Sequence, residues 1–313
     1  MRLSIAKRYG LASVALWSTA ATAFKLALAG SGPCMVVLTA SVVSLAFLAV
    51  LCASTGARLT WRIMLEALPR GILNPFVYYL VLLEAYDRLP AQIAMVVNYL
   101  WPVVLVLLHA ALGRRRLRAG SLLAVLISFG GVAVLALLGP EDGGRADTAG
   151  LALALASTVI WACYWILGLG RGGSDAPESV GLLAGFAWGV LFLAAYTAVT
   201  GSFAIPDARS AVAGVWIGLF EMGLTYVLWS RALSLAKEPA EVGSLVYLTP
   251  FLSLCFIALV LGEEIRPATL PGLALVLAGI AVQRRVESRG RTRGGSERQA
   301  SDVPGDRHEP RTP

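Results

Sequence analysis

The sequence predicts an all-α integral membrane protein: ten transmembrane helices laid out as a 5+5 inverted-topology repeat around a central cavity. Three observations carry this expectation: the composition, ten apolar windows, and a Tyr/Pro pattern that recurs between the halves. Of 313 residues, 57% are hydrophobic and 14% are charged, with a mean hydropathy of +0.73. A soluble domain has roughly 45–50% and about 25%, so a water-soluble globule is excluded. Ten helices of about 20 residues use about 200 positions, which leaves room for loops and a tail but for no large soluble domain.

The apolar windows lie at about residues 9–29, 33–53, 70–86, 90–112, 119–138, 148–168, 177–199, 211–231, 240–261 and 268–283. The first follows Arg2, Lys7 and Arg8 and contains Ala21-Thr22-Ala23. It has features of a cleaved signal peptide, but nine further windows behind it favour an uncleaved first helix. Asn74-Pro75 interrupts the third window, Pro102 the fourth and Pro250 the ninth. Each proline removes a backbone donor and disturbs the ladder one turn earlier, at Asn98 and Val246 in the last two cases. The expected organisation is a first five-helix repeat over 1–138, an external connecting loop over 139–147, and a second, inverted repeat over 148–283. A basic tail over 284–313, polar and rich in Arg, Gly and Ser, is expected to be disordered and free to lie against anionic lipid.

Lys and Arg set the orientation, because cytoplasmic loops carry the excess. With the N-terminus inside, 21 basic residues fall on the cytoplasmic face and four (Arg88, Arg145, Arg209, Arg266) on the other, while Lys25 lies within the first span. Both termini are therefore expected in the cytoplasm. The net charge of +7 comes from short clusters such as Arg114–Arg116, which form no continuous groove for nucleic acid. Only three of the 26 basic residues are Lys, and Ala, Gly and Leu abound, as in proteins of GC-rich bacteria, which points to a bacterial inner membrane. Cys34, Cys52, Cys163 and Cys255 lie in or beside apolar windows without a C-x-x-C pair or a neighbouring His, so they read as buried small hydrophobes.

The halves repeat. Tyr78, Tyr99 and Pro102 recur as Tyr226, Tyr247 and Pro250, and with one residue more of offset Pro90, Gly113 and Gly130 recur as Pro239, Gly262 and Gly279. Trp17 in the first window is set against Trp161 in the sixth. Matched residues fall in topologically equivalent helices, and because five is odd the second copy must enter the membrane upside down.

Leu16-Trp17-Ser18-Thr19 with Phe24-Lys25, the kinked Asn98-Tyr99-Leu100-Trp101-Pro102 and Tyr247-Leu248-Thr249-Pro250, and Leu261-Gly262-Glu263-Glu264 resemble the drug/metabolite transporter superfamily, EamA-type. The resemblance covers about residues 9–283. It implies ten helices, a central cavity between the halves and alternating access, and the Trp/Tyr-rich centre is most similar to bacterial exporters of aromatic and other neutral amino acids. Glu221 departs from the pattern, since EamA-type second repeats usually carry a small or apolar residue there.

Helix rise places Trp17, Tyr78, Tyr79, Asn98, Tyr99, Trp101 and Tyr247 within a few residues of the midplane, and Trp161, Tyr164, Trp165, Tyr226 and Trp229 in the cytoplasmic half. A mid-bilayer Tyr or Trp carries an O–H or N–H that hydrocarbon cannot satisfy, so it faces protein or a wet cavity. Cavity lining and helix packing both fit. The candidate substrate-binding set is Trp17, Tyr78, Asn98, Tyr99, Trp101, Trp161 and Tyr247, with Pro102 and Pro250 as kinks that could expose carbonyls to a polar cavity or serve packing alone. Trp61, Tyr86, Tyr9 and Trp216 read as interfacial residues. Glu221, near the midplane, has three readings: protonated and structural, binding a substrate amine, or exchanging protons. Lys25 and Glu84 read as snorkelling or paired with each other, and His109 as interfacial packing rather than a proton relay.

Soluble-enzyme signatures are absent: no G-x-x-x-x-G-K-[ST], H-E-x-x-H, G-x-S-x-G or dinucleotide fingerprint occurs. No cofactor and no metal are expected; the partners are a small-molecule substrate and the lipid bilayer, and a monomer is compatible with the sequence. The expected function is a secondary transporter exporting aromatic and other large neutral amino acids. The alternatives are a multidrug or other metabolite exporter of the same superfamily and, from other classes, an intramembrane enzyme or a non-transporting receptor.

Overall fold

The computed structural model describes residues 4–56, 58–113, 119–138, 147–169, 178–236 and 242–301, with side chains to Val286. Arg2, Arg114–Arg116, Arg118, Arg145, Arg171, Lys237, Pro239 and residues 302–313, on which parts of the expected orientation and repeat rest, lie outside them, as does 139–146 of the connecting loop. Among the described residues every element is helical. Nine helices among the described residues are long and apolar enough to cross a membrane: α1 (Ile5–Leu28), α2 (Pro33–Ser54), α4 (Ala91–Leu112), α5 (Ala119–Leu138), α6 (Thr148–Gly168), α7 (Glu178–Thr200), α8 (Ala208–Leu235), α9 (Ser244–Leu261) and α10, whose apolar part is Thr269–Val286. The tenth segment, α3, runs as Trp61–Gly71, Ile72–Val77 and Tyr78–Arg88. Its charges lower its apolarity, but it packs among the others against α7 and α6. Sequence windows placed its start near residue 70. The helix instead begins at Trp61, capped by the Thr60 hydroxyl accepting from Ile63 N, with Arg62 and Glu66 paired at 2.9 Å on its exposed face.

The end of the chain and the register of the repeat differ from the sequence expectation. The last helix continues as Thr269–Ser301, so the backbone of 284–301 is helical where disorder was expected. Extending an anchored helix avoids the cost of nucleation, and Arg, Glu and Gln are good helix formers. The register of the repeat in α5 and α10 also differs by one. Ser128 Oγ donates to the Val276 carbonyl, 148 positions away. A Cβ at Gly131 would lie 2.5 Å from the Gly272 carbonyl oxygen, and one at Gly279 would lie 2.6 Å from that of Ala124. Under an offset of 148 these contacts exchange with each other and Ser128–Val276 maps onto itself, so Gly131 rather than Gly130 stands opposite Gly279.

The same exchange relates the outer helices. Gly71 of α3 packs its backbone against the Gly185 carbonyl of α7, and Gly218 of α8 packs against the Ala40 carbonyl of α2. Both α3 and α8 widen into π-helix at corresponding places, Ile72–Val77 and Ile217–Leu224. In α3 the widening surrounds Asn74, whose backbone is extended at φ −143°, ψ 118°, ahead of Pro75. Likewise α4 breaks at Tyr99–Leu100 between Asn98 and Trp101, and α9 starts as a 3₁₀ turn, Ser244–Leu248. The fold is thus two five-helix halves related by a pseudo-two-fold axis passing through the α5–α10 crossing.

Of the cysteines, Cys34 and Cys52 are buried, with Cys34 Sγ 3.0 Å from Thr197 Oγ1, and all four are free thiols. Cys255 is exposed on the outside of α9, contrary to the expectation of burial. That face of α9 also exposes Phe251, Leu252 and Leu259, the composition of a surface meeting hydrocarbon rather than protein.

Candidate functional site

A cavity of about 830 Å³ lies between the halves. All seven candidate residues line it, together with Glu221 and Pro102. Pro250 does not: it is buried behind the wall, which Thr249 and Ser253 form instead. The carbonyl expected to be freed at Val246 accepts from Thr249 N, because the turn before Pro250 tightens to 3₁₀ and uses that oxygen.

On one wall, the break in α4 turns Asn98 toward α3 and α6. Tyr78 Oη donates to Asn98 Oδ1 at 3.3 Å, and Asn98 Nδ2 donates to Ser157 Oγ at 3.0 Å. Trp161 stacks on Tyr78 at 4.5 Å between centroids and on Tyr164 at 5.1 Å, while Trp165 stacks on Trp101 at 6.1 Å. Across the cavity Trp17 meets Tyr226 edge-on at 6.1 Å and Trp229 at 5.2 Å. Under the repeat, the Trp17–Tyr226 contact corresponds to Trp161–Tyr78. Related sequences therefore face the cavity from both halves, one pair stacked and one edge-on.

Glu221 sits in the π-helical stretch of α8. Tyr79 Oη donates to its Oε1 at 3.2 Å, and its Oε2 is buried without a partner. Tyr79, Tyr86, Tyr226 and Trp229 line the cavity too, although Tyr86 read as interfacial from sequence and the last two were placed in the cytoplasmic half. The clue available was the i, i+3 spacing of Tyr226 and Trp229 on one helix face. The preceding π-helical stretch obscures it, since it rotates the face away from where 3.6 residues per turn would put it.

The two ends of the cavity differ. Toward the end holding Ile5 and Val286 the lining includes Glu178, Ser230, Ser234, Gly243 and Arg284. Ser234 and Arg284 are exposed there. Arg284 lies 4.4 Å over the Tyr247 ring, and Ser230 donates to Glu178. The opposite end is sealed. Gln92, fully buried at the start of α4, donates through Nε2 to Glu263 Oε1 at 2.7 Å and to the Glu264 carbonyl at 2.8 Å. Its Oε1 accepts from Arg266 N at 3.0 Å and from the Thr269 hydroxyl. Glu263 also accepts from Ala91 N and Gln92 N, so its carboxylate caps the positive end of α4. Beside this latch Lys25 Nζ donates to the Tyr86 and Leu89 carbonyls at 2.8 and 3.2 Å. Glu84 faces Arg88 at 4.0 Å, so Lys25 and Glu84 are not partners: Lys25 caps the C-terminal end of α3 instead. His109 is exposed near the end of α4, away from the cavity. Among the described residues no group of His, Cys, Asp and Glu is placed to hold a metal ion.

Ten membrane segments in two inverted halves, interrupted where they meet around an aromatic-lined cavity open at one end, make a multi-pass membrane transporter. The EamA-like transporter family matches this chain at residues 6–137 and 148–284, and the chain belongs to it. It is 30% identical over 213 residues to an uncharacterized protein of Pseudomonas aeruginosa, covering 68% of this chain and 71% of that one. It is 28% identical over 217 residues to the aromatic amino acid exporter YddG of Ancylobacter novellus, covering 68% and 73%. A relative in Streptantibioticus cattleyicolor, named "Probable terminal-alkyne amino-acid exporter", is 26% identical over 289 residues, covering 91% and 95%.

Proposed function

We propose that the protein exports aromatic and other large neutral amino acids across a bacterial inner membrane by alternating access. The observation that carries this is the cavity wall: Trp17, Tyr78, Tyr99, Trp101, Trp161 and Tyr247 surround a space of about 830 Å³ into which Asn98 and Glu221 also project. Such a volume lies within the usual range for small-molecule sites. Apolar walls select side chains by size, each additional buried CH₂ being worth about 0.8 kcal/mol, whereas the polar ends of a zwitterion need hydrogen bonds to replace water. Asn98 and the tyrosine hydroxyls supply those. Two relatives bear names of amino-acid exporters, which supports the substrate class.

The basic-residue bias of 21 to four supports cytoplasmic termini. In that orientation the open end of the cavity faces the cytoplasm and the Gln92–Glu263 latch closes the outer side, the arrangement in which an exporter loads. Exchange of conformations between the inverted halves then opens the other end.

The test is counterflow in proteoliposomes with an amino-acid panel. Phe, Trp, Leu and Met are expected to outcompete Gly, Asp and Lys, and Trp101→Ala or Tyr99→Ala to flatten that ranking more than Trp61→Ala, whose ring is exposed outside the cavity. If Asp or Lys competes best, or if the central substitutions leave the ranking unchanged, the aromatic set serves packing and the substrate assignment fails.

A further inference from the structure

Among the described residues the carboxylate of Glu221 has no salt-bridge partner. It lies in the middle of α8, where a charge is costly, and its Oε1 accepts one bond, from the Tyr79 hydroxyl, while its Oε2 is buried without a donor. Among the described residues the cations that approach the cavity region are engaged elsewhere. Lys25 is bound to the Tyr86 and Leu89 carbonyls beyond the sealed end. Arg284 stands at the open mouth, over Tyr247 and within 3.4 Å of the Gly243 carbonyl. The second carboxylate of the lining, Glu178, is also at the mouth, held by Ser230. Tyr79, which bonds Glu221, meets the Tyr78 ring at 4.9 Å and the Phe24 ring at 6.3 Å, and Trp17 and Tyr226 line the same cavity.

A deep carboxylate short of a donor, walled by aromatic faces, is complementary to a cation with its own N–H groups. The ring quadrupoles attract the positive charge, and the ammonium gives the unpartnered oxygen a charge-assisted bond. By contrast, no described cation lies deep in the cavity to neutralise a carboxylate on the ligand.

We propose that Glu221 is an ammonium-binding subsite and that the cavity takes arylalkylamines, recognising the primary ammonium and the ring without requiring a carboxylate. This rests on the cavity being the substrate site, and it names which end of an amino acid the protein holds. The α-amino group binds at Glu221, the aromatic side chain lies against the Trp and Tyr wall, and the α-carboxylate points toward the mouth, where Arg284 stands.

The experiment is ligand binding to the purified full-length protein, read by quenching of its intrinsic tryptophan fluorescence and by competition. The probes at neutral pH are phenethylamine, phenylalanine amide, 3-phenylpropionate and N-acetylphenylalanine. Phenethylamine and the amide are expected to bind, and the two ligands lacking an ammonium to bind at least tenfold more weakly. Glu221→Gln, which keeps the shape and an acceptor for Tyr79, is expected to weaken phenethylamine binding by about 10- to 100-fold, the range for a hydrogen bond to a charged group.

Equal binding of 3-phenylpropionate and phenethylamine to the unmodified protein overturns the proposal. So does unchanged phenethylamine affinity in a folded Glu221→Gln variant, the result expected if Glu221 is protonated and structural. Should that variant fail to fold, the ligand series on the unmodified protein decides alone. Amine binding that depends on Glu221 without any counterflow of aromatic amino acids would sustain this subsite and refute the amino-acid export reading.

Discussion

If transport is by the proposed alternating access, replacing Gln92 by Ala should shift the protein toward the state open at the end now sealed. The side chain is fully buried and serves the Glu263 carboxylate, the Glu264 carbonyl, the Arg266 amide and the Thr269 hydroxyl. After truncation Glu263 keeps its bonds from Ala91 N and Gln92 N, whereas the other three groups lose the Gln92 side chain. At about 1 kcal/mol net for each, the sealed state loses about 3 kcal/mol. The state open at this end wets the same groups and loses little. A difference of that size moves the ratio of the two states by about 100-fold. Met95, a cavity-lining residue only 4% exposed, reports the change. As a single cysteine in a cysteine-free background, it should react with a membrane-impermeant thiol reagent supplied from the sealed side at least tenfold faster when Gln92→Ala is added. Unchanged labelling in a folded, less heat-stable variant would refute the reasoning, because Gln92 would then support the fold equally in every state.

Gly279→Val should destabilise the protein, since a Cβ there meets Ser128 Oγ and the Ala124 carbonyl; a loss of about 1–3 kcal/mol is expected from overpacking, read as a lower unfolding midpoint in detergent. Gly130→Ala, whose added Cβ meets nothing within 4 Å, should leave that midpoint nearly unchanged. Asp207 caps α8 by accepting from Ser210 N at 2.7 Å, which holds its carboxyl below the usual range. Its capping contribution is therefore present above the ordinary carboxylate range and is lost as pH falls through the lowered folded value; Asp207→Asn should remove that pH dependence from the acid unfolding curve. A reporter active only in the cytoplasm, fused after Pro313, should function; activity of a periplasmic reporter there would overturn the proposed orientation.

The sequence made most of the membrane architecture readable because each span is an apolar run long enough to stand out against its loops. Span three did not begin where its apolarity suggested, since Arg62, Glu66 and Arg70 in its first turns dilute the signal. The central aromatic residues were legible as a set: a Tyr or Trp at mid-depth needs a polar neighbour, and the Tyr78/Tyr226 and Tyr99/Tyr247 matches fix which helices carry it. Which face each ring presents was less legible. The π-helical stretches before Tyr78 and Tyr226 break the 100° rule on which face assignment depends, so Tyr226 and Trp229 were placed by depth alone. The Gln92–Glu263 latch left no trace in local pattern. Its partners are 171 residues apart, and a polar residue after Pro90 reads as an ordinary helix start.

Ser128 and Val276 are each other's images under the repeat, and so are the two glycine approaches on either side of them. In the proposed alternating access the two halves trade shapes, so the Gly131–Gly272 and Gly279–Ala124 approaches exchange and the seam looks the same before and after, while the Ser128 hydroxyl bond does not, since Val276 has no donor to replace it. The packing energy of those approaches cancels from the difference between the states while still counting toward their sum. The α5–α10 crossing is therefore a neutral fulcrum: substitutions on it can raise or lower the durability of the molecule without tilting it to either side. Engineering for thermal robustness belongs at this seam, and engineering to trap one conformation belongs away from it, at contacts such as Gln92–Glu263 whose images are different residues.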